Sequence, residues 1–197
     1  MPASIPSLTP LRPHPAAPAR AVKAVTAGCS LSPDGRLRLA YRISAAPDRL
    51  CWDRSREPGR RDELWRHTCC EAFVATGRDH YLELNFSPNG SWAAYGFANY
   101  RHRTGRDPDL PPPDIRVHGG TRELGLVAEV RLGGQLVGGG APGPRIGLAA
   151  VVEEAGGHMS YWALHHPAPK PDFHHADGFV FAPAPEQPVT SPGGPAA

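Results

Sequence analysis

The fold is decided by the stretch YLELNFSPNGSWAAY at residues 81–95. Leu82, Leu84 and Phe86 alternate with polar or amphipathic residues, a pattern typical of a strand that buries one face. The sequence SPNG at residues 87–90 supplies the residue types that a tight turn requires, and a second strand-like run follows it directly. The stretch therefore predicts a β-hairpin.

The same alternation recurs outward from this hairpin along most of the chain, and it is far more frequent than a helical period. The sequence predicts an all-β fold, an antiparallel β-sandwich of about ten strands in two sheets with immunoglobulin-like layering. The only helix expected is a turn or two inside 58–66. The predicted strands lie near residues 21–31, 36–44, 68–76, 80–87, 91–99, 114–119, 122–131, 145–153, 158–164 and 178–182.

The distribution of proline and glycine indicates where the folded domain begins and ends. The chain of 197 residues contains 24 prolines and 22 glycines, and prolines are concentrated at both ends. Because segments rich in proline and small residues bury little apolar surface, they do not offset the entropy of ordering. We expect mobile tails at 1–20 and 183–197, and one domain over 21–182.

Charge and hydropathy exclude several function classes. The net charge of +2 gives no reason to expect binding to nucleic acid, and no run of apolar residues is long enough to form a membrane helix. The N-terminus lacks the pattern of an export signal, so we expect a cytoplasmic protein. The four cysteines form no Cys-x-x-Cys pair, which favours reduced structural thiols.

A polar strip is predicted on one face of the two strands before and within the hairpin. If strands 68–76 and 80–87 are antiparallel neighbours, Glu71 shares a sheet face with Glu83, Asn85 and Ser87. Carboxylates and amides beside tryptophans suit a sugar, whose C–H faces pack on rings while its hydroxyls need fixed partners. The alternative is that this face is simply solvated.

Other chemistry finds less support in the sequence. The histidines of residues 165–175 are close together, but neighbouring side chains in an extended segment diverge, which disfavours a metal site. No Gly-x-Ser-x-Gly nucleophile motif is present, and Glu71 with Glu83 resembles a pair of hydroxyl acceptors more than a glycosidase pair. We therefore expect a protein that is not an enzyme.

Three segments resemble the bacterial DOMON-like proteins, a branch of the superfamily that includes family-nine carbohydrate-binding modules and haem-binding DOMON domains. They are LWRHTCCEAF (64–73), YLELNFSPNGSWAAYGFANYR (81–101) and SYWALHHPAPKPDFHHADGF (160–179). The resemblance covers about residues 20–182 and implies a non-catalytic β-sandwich that binds a sugar or haem. Trp65 and Glu71 match the family's tryptophan and strand glutamate, and Trp162 is a weaker match to its second aromatic residue.

These considerations predict a small-molecule ligand, most simply a carbohydrate, with no cofactor. The alternative that the resemblance adds is haem b, with Met159 and either His67 or His165 as axial ligands, or with two histidines in that role. A third alternative is a protein-interaction module without a pocket, favoured if a strand such as 122–131 lies at a sheet edge. The candidate ligand-binding residues are Trp65, His67, Glu71, Glu83, Asn85, Trp162, His165, Lys170, Asp172 and His174.

Overall fold

The computed structural model describes residues 7–54, 57–133 and 144–185. These regions contain thirteen β-strands and three single-turn 3₁₀ segments. No α-helix occurs in these ranges, and none of their helical turns approaches the length or apolarity needed to cross a membrane. The 3₁₀ turns are Pro47–Arg49, Leu64–Arg66 and Ala176–Gly178. The strands are β1 (Thr9–Pro13), β2 (Ala24–Leu31), β3 (Arg36–Ser44), β4 (Leu50–Cys51), β5 (Cys69–Ala75), β6 (Tyr81–Phe86), β7 (Trp92–Asn99), β8 (His102–Arg103), β9 (Asp114–Gly119), β10 (Leu124–Arg131), β11 (Ile146–Glu154), β12 (His158–Ala163) and β13 (Ala184–Pro185).

The strands form two layers that share one strand. The first layer has the order β1-β2-β3-β10-β9, and the second has the order β8-β7-β6-β5-β11-β12. Strand β1 pairs with β2 through Thr9–Leu11 and with β12 through Arg12 and Pro13, so it passes from one layer to the other. The pairing path is continuous but not closed, because β8 and β9 end it on opposite sides. All pairs between named strands are antiparallel except the short β13 beside β2, which confirms the predicted all-β antiparallel fold.

The core between the layers is made by the alternating residues of the sequence pattern. Leu84 of β6 and Leu148 of β11 belong to the same buried cluster as Leu39 and Leu126 of the first layer. Tyr41 of the first layer is also buried there, and its hydroxyl donates a hydrogen bond of 2.6 Å to the backbone oxygen of Glu71. This bond ties β5 to the opposite layer.

The predicted hairpin joins β6 to β7 in the register that the turn requires. Phe86 pairs with Trp92, and the Gly90 amide donates to the Ser87 carbonyl at 2.9 Å. Gly90 has φ of +84°, a left-handed conformation that glycine adopts without strain. Because this register continues down the ladder, Glu83 lies opposite Tyr95.

The N-terminal boundary of the domain requires a correction. The composition of residues 1–20 predicts a tail outside the domain, but Thr9–Pro13 forms β1, whose Leu11 is only 4% exposed. His14 is buried directly after it. The two prolines of β1 made the segment resemble a tail, whereas proline is compatible with a short strand where no ladder hydrogen bond needs its nitrogen.

Three further differences concern strand ends and edges. Residues 178–182 contain only an isolated bridge between Phe181 and Ile146 instead of a strand, and the expected tail at 183–197 begins with β13. The rest of that tail, 186–197, lies outside the described residues. The segment 122–131 is not an edge, since β10 pairs with β3 on one side and β9 on the other.

The second layer is buried on both faces, and this positions the candidate site. Every residue of β6 is buried, although only alternate ones reach the core between the layers. The outer face carries a second buried cluster, and residues 171–179 contribute Phe173 and Phe179 to it. The outer face of this layer is therefore covered rather than freely solvated.

Candidate functional site

A cavity of about 820 Å³ opens on the outer face of the second layer. This volume falls within the range of small-molecule pockets. Five consecutive strands of the second layer, β7-β6-β5-β11-β12, contribute the floor of the cavity. Side chains alternate along each strand, and those that do not enter the core between the layers point to this side. The floor residues are Glu71 and Phe73 of β5, Glu83 of β6, Tyr95 and Phe97 of β7, Val151 of β11 and Tyr161 of β12.

Three irregular segments form the walls. The turn at 62–65 brings the Trp65 ring to one side, where the side chain is 46% exposed. Arg101 and Arg103 follow β7 on another side. The segment 171–174 covers part of the outer face with Phe173 and His174.

Backbone strain is concentrated at the cavity. Among the described residues, Glu63 and Arg101 are the non-glycine residues with positive φ, at 61° and 56°. Both line the cavity. Left-handed backbone costs a non-glycine residue on the order of 1 kcal/mol or more, and such conformations cluster at binding and catalytic sites.

Two carboxyl groups lie at the cavity floor in a strongly desolvated environment. Glu71 is 3% exposed and Glu83 is 5% exposed. Burial raises the pKa of Glu71 well above its ordinary value, and the charge of Glu83 raises it further. Burial also raises the pKa of Glu83, although hydrogen bonding from Asn85 opposes this effect. Burial therefore disfavours the ionised form of each acid, and their mutual repulsion disfavours ionising both at once.

The oxygens of the two glutamates are satisfied to different degrees. Asn85 Nδ2 donates a hydrogen bond of 2.8 Å to Glu83 Oε1. Glu71 Oε1 is buried and has no hydrogen-bond partner, and the same holds for Asn85 Oδ1. Because Glu71 and Asn85 are directly opposite each other in the ladder, both unsatisfied oxygens lie at the same place in the sheet.

His174 is fixed at the cavity by a buried network. Its Nδ1 lies 2.8 Å from the Tyr81 hydroxyl, which also accepts a bond of 3.1 Å from the Arg101 amide. His174 Nε2 is 3.7 Å from Glu83 Oε2, too long for a hydrogen bond. Desolvation, followed by repulsion from Arg101, lowers the pKa of His174 to about 4. His174 is therefore neutral at physiological pH.

The two arginines of the wall already have carboxylate partners. Arg101 Nη2 lies 2.9 Å from Asp172 Oδ1, and Arg103 Nη2 lies 2.6 Å from Asp107 Oδ1. The Arg103 guanidinium also lies 4.3 Å from the centre of the Tyr95 ring. These contacts direct the positive charges toward aspartates that do not line the cavity.

The structure brings together four of the ten candidate residues as cavity lining, namely Trp65, Glu71, Glu83 and His174. Asn85 lies beneath them and acts through its bond to Glu83. The remaining five do not line the cavity: His67, Trp162, His165, Lys170 and Asp172. Asp172 adjoins it as the partner of Arg101, and His67 Nδ1 is bound to Glu153 Oε2 at 2.6 Å. His165 and Lys170 are exposed on the connection after β12.

Trp162 requires a correction, because it belongs to the core between the layers. It is 3% exposed, and its Nε1 donates to Ser160 Oγ at 3.0 Å. The neighbouring Tyr161 points to the opposite side and lines the cavity. The aromatic residue that β12 contributes to the site is therefore Tyr161.

Sequence reasoning also missed Tyr95, Phe97, Arg101 and Arg103. A signal for the first two was present, since the hairpin turn sets the register that places Tyr95 opposite Glu83. No comparable signal existed for the arginines, because the register shifts between Phe97 and Asn99 before β8 begins.

The cavity does not fit haem. Its lining contains no methionine and a single histidine, His174, whose Nδ1 is engaged by Tyr81. Met159 is paired with Glu153 outside the cavity, and His165 lies past the opposite end of β12. Within the described part of the chain, no three His, Cys, Asp or Glu side chains are grouped to hold a metal ion, and the four cysteines are free.

The fold and the cavity together define a two-layered β-sandwich with a ligand-sized pocket on the outer face of one layer. Among solved structures, the chain is similar to that of a protein from Bacteroides uniformis described as a "putative carbohydrate-binding protein". The TM-score is 0.60 at 14% sequence identity, and the match covers 89% of this chain and 84% of that chain. A likeness at this identity establishes the fold alone. No protein-family model and no curated protein matches the chain.

Proposed function

We propose that this protein is a non-catalytic binding protein for a small polar ligand of carbohydrate type, held in the cavity of the second layer. One observation carries the proposal: the buried Glu71 carboxyl lies on the floor of an aromatic-lined cavity with an oxygen that has no partner. An unsatisfied buried polar atom is costly, so such an atom at a binding site is explained by a ligand that completes its hydrogen bonding.

The lining suits a sugar because it combines two kinds of contact. Trp65 and Tyr161 line the cavity with rings on which the C–H groups of a sugar can pack. Glu71 and Glu83 offer fixed carboxyl oxygens for hydroxyl groups. The description of the similar structure from Bacteroides uniformis as carbohydrate-binding supports the same ligand class. The resemblance of Trp65 and Glu71 to the DOMON-like pattern supports it as well.

The experiment is a calorimetric titration with D-glucose, D-galactose, cellobiose and D-glucosamine, after a thermal-shift screen of the same compounds. A ligand that binds only the folded state stabilises it by about 2.7 kcal/mol at one hundred times its dissociation constant. We expect at least one of these sugars to raise the unfolding temperature and to give a saturable binding isotherm.

Trp65→Ala locates the binding in the cavity. This variant should lose at least tenfold in affinity, since it removes the exposed ring of the cavity wall. Val117→Ala is the matched control, because Val117 is an exposed apolar residue on β9 of the other layer. If no sugar binds, or if both variants bind as tightly as the parent protein, the proposal is contradicted.

A further inference from the structure

We propose that the ligand of the cavity carries a primary ammonium group, as an amino sugar does, and that this group binds between Glu71 and Glu83. The inference rests on the proposed function, because it specifies which small polar ligand the same cavity selects. It follows from the charge balance of the cavity floor, from the unsatisfied oxygen atoms and from the aromatic lining.

The two glutamates of the cavity floor lack a direct counter-charge from the protein. Glu71 and Glu83 are both nearly excluded from water, and neither has an arginine or lysine nitrogen within ion-pair distance among the described residues. The nearest basic nitrogen, His174 Nε2, lies at 3.7 Å on a neutral imidazole. A buried carboxylate without a counter-charge is unfavourable, and a ligand cation would supply what the protein does not.

The charged residues around the pair do not supply this counter-charge directly. Arg101 is engaged by Asp172 and Arg103 by Asp107, so both act on Glu83 only at longer range. On the remaining wall, Asp62 accepts a bond of 3.0 Å from the Tyr95 hydroxyl. Glu63 beside it pairs with Arg66 at 2.8 Å. The two glutamates of the floor are thus nearly buried acids of the cavity whose charge is not balanced by a direct arginine or lysine partner.

Hydrogen-bond acceptors at the cavity floor are left without a donor. Glu71 Oε1 and Asn85 Oδ1 are both buried acceptors without a partner. A primary ammonium has three N–H donors, whereas a quaternary ammonium has none. Of these two acceptors only Glu71 Oε1 belongs to a residue that lines the cavity, and this unsatisfied oxygen favours a primary amine over a choline-like cation.

The aromatic residues of the cavity also bear on the choice of ligand. Trp65, Tyr95, Phe97 and Phe173 surround the space above the carboxyl groups. Aromatic faces attract cations, most strongly where the cation is desolvated. The same rings provide the apolar surface on which a sugar packs, so an amino sugar uses both properties of the lining.

The experiment compares D-glucosamine with D-glucose, N-acetyl-D-glucosamine and choline by calorimetric titration at pH 7. These probes separate the ammonium group from the sugar ring, from an uncharged amide and from a cation without donors. We expect D-glucosamine to bind at least tenfold more tightly than each of the other three. Titrations in phosphate and in HEPES, neither of which carries a primary ammonium, should show that binding of D-glucosamine releases protons from the protein, because the ammonium favours the ionised form of the glutamates.

Glu71→Gln and Glu83→Gln keep the shape of the floor and remove one acid each. Each variant should reduce the preference for D-glucosamine over D-glucose to less than about threefold, because it should lose more affinity for D-glucosamine than for D-glucose. Glu123→Gln, on the exposed side of the other layer, is the control for loss of one negative charge and should keep the full preference. Urea unfolding of each variant establishes that it is folded.

The outcomes separate the two proposals. If D-glucose or N-acetyl-D-glucosamine binds as tightly as D-glucosamine, the ammonium inference is overturned while the sugar-binding function stands. If choline binds best, the inference is also overturned, since N–H donors would then be unnecessary. If none of the probes binds, the ammonium inference is contradicted, and the sugar-binding function is contradicted as well if D-galactose and cellobiose also fail to bind.

Discussion

Glu71→Gln should make the folded protein more stable, and the gain should increase with pH. The side chain lies on the cavity floor, 3% exposed, and Glu83 is the titratable neighbour that raises its pKa further. Glutamine has nearly the same shape as a protonated glutamate but cannot ionise. The substitution therefore removes the unfavourable ionisation of a buried acid and leaves the packing of β5 unchanged.

The magnitude follows from proton linkage. Burial raises the pKa of Glu71 in the folded state above its ordinary value of 4.5, so the folded chain holds this proton more tightly than the unfolded chain. The stabilisation from the bound proton is complete below pH 4.5 and is lost as pH rises through the raised pKa. For one proton the loss is at most about 1.4 kcal/mol per pH unit. The advantage of Glu71→Gln over the parent protein should grow at up to that rate from about pH 4.5 upward.

The assay is urea unfolding of both proteins between pH 4.5 and pH 8, followed by far-UV circular dichroism. The difference between the two free energies of unfolding is the quantity to plot, because the titration of groups that do not interact with Glu71 cancels in it, leaving the titration of Glu71 and of its neighbour Glu83. Glu123→Gln controls for the change in net charge. A difference that stays constant over this range would refute the reasoning, since Glu71 would then ionise equally in the folded and unfolded chain.

Four substitutions test the rest of the structure. Trp162→Ala should lower the free energy of unfolding by about 3–5 kcal/mol, because Trp162 lies in the core. Trp65→Ala should change the free energy of unfolding by less than about 1 kcal/mol, because Trp65 lies at the cavity wall. Urea titrations that give equal effects for the two variants would contradict these two assignments. Leu11→Ala should lower the free energy of unfolding by about 2–5 kcal/mol, because Leu11 is buried. A change below about 0.5 kcal/mol in urea unfolding would contradict the inclusion of β1 in the folded domain. His174→Asn should gain stability relative to the parent as pH falls from 6.5 to about 4, because the folded chain resists protonation of His174; unfolding midpoints measured across that range check the sign.

The fold was predictable because the alternation of side chains is clear where one face of a strand enters the core. Leu82, Leu84 and Phe86 all occupy the buried cluster between the layers, as the pattern indicates. The strand β1 escaped prediction because only Leu11 among its five residues is buried. A single apolar residue between prolines carries no period, so only the tertiary structure reveals that this segment joins the layers.

The candidate site was predictable only in part. The sequence predicts that Glu71 and Glu83 share one sheet face, because side chains alternate along each strand and the pairing of neighbouring strands fixes which residues face the same side. For β12 the sequence does not show which alternate set of side chains enters the core. Met159, Tyr161 and Ala163 are as apolar as the set that contains Trp162. Which of these faces meets the core depends on the opposite layer, and the sequence of β12 alone does not contain that information.

The ambiguity of the outer face has a physical basis in the way the second layer is covered. A polar row along a strand normally indicates contact with water, yet here the row of Glu71, Glu83 and Asn85 is buried beneath irregular segments. Those segments bring their own aromatic residues, among them Phe173, and form a second apolar cluster around acids that have no balancing charge. A core assembled only for stability would replace such acids with apolar residues, because an unpaired buried carboxyl reduces the free energy of folding. The proposed ligand, which pairs with these acids, accounts for their presence at the floor of an open cavity.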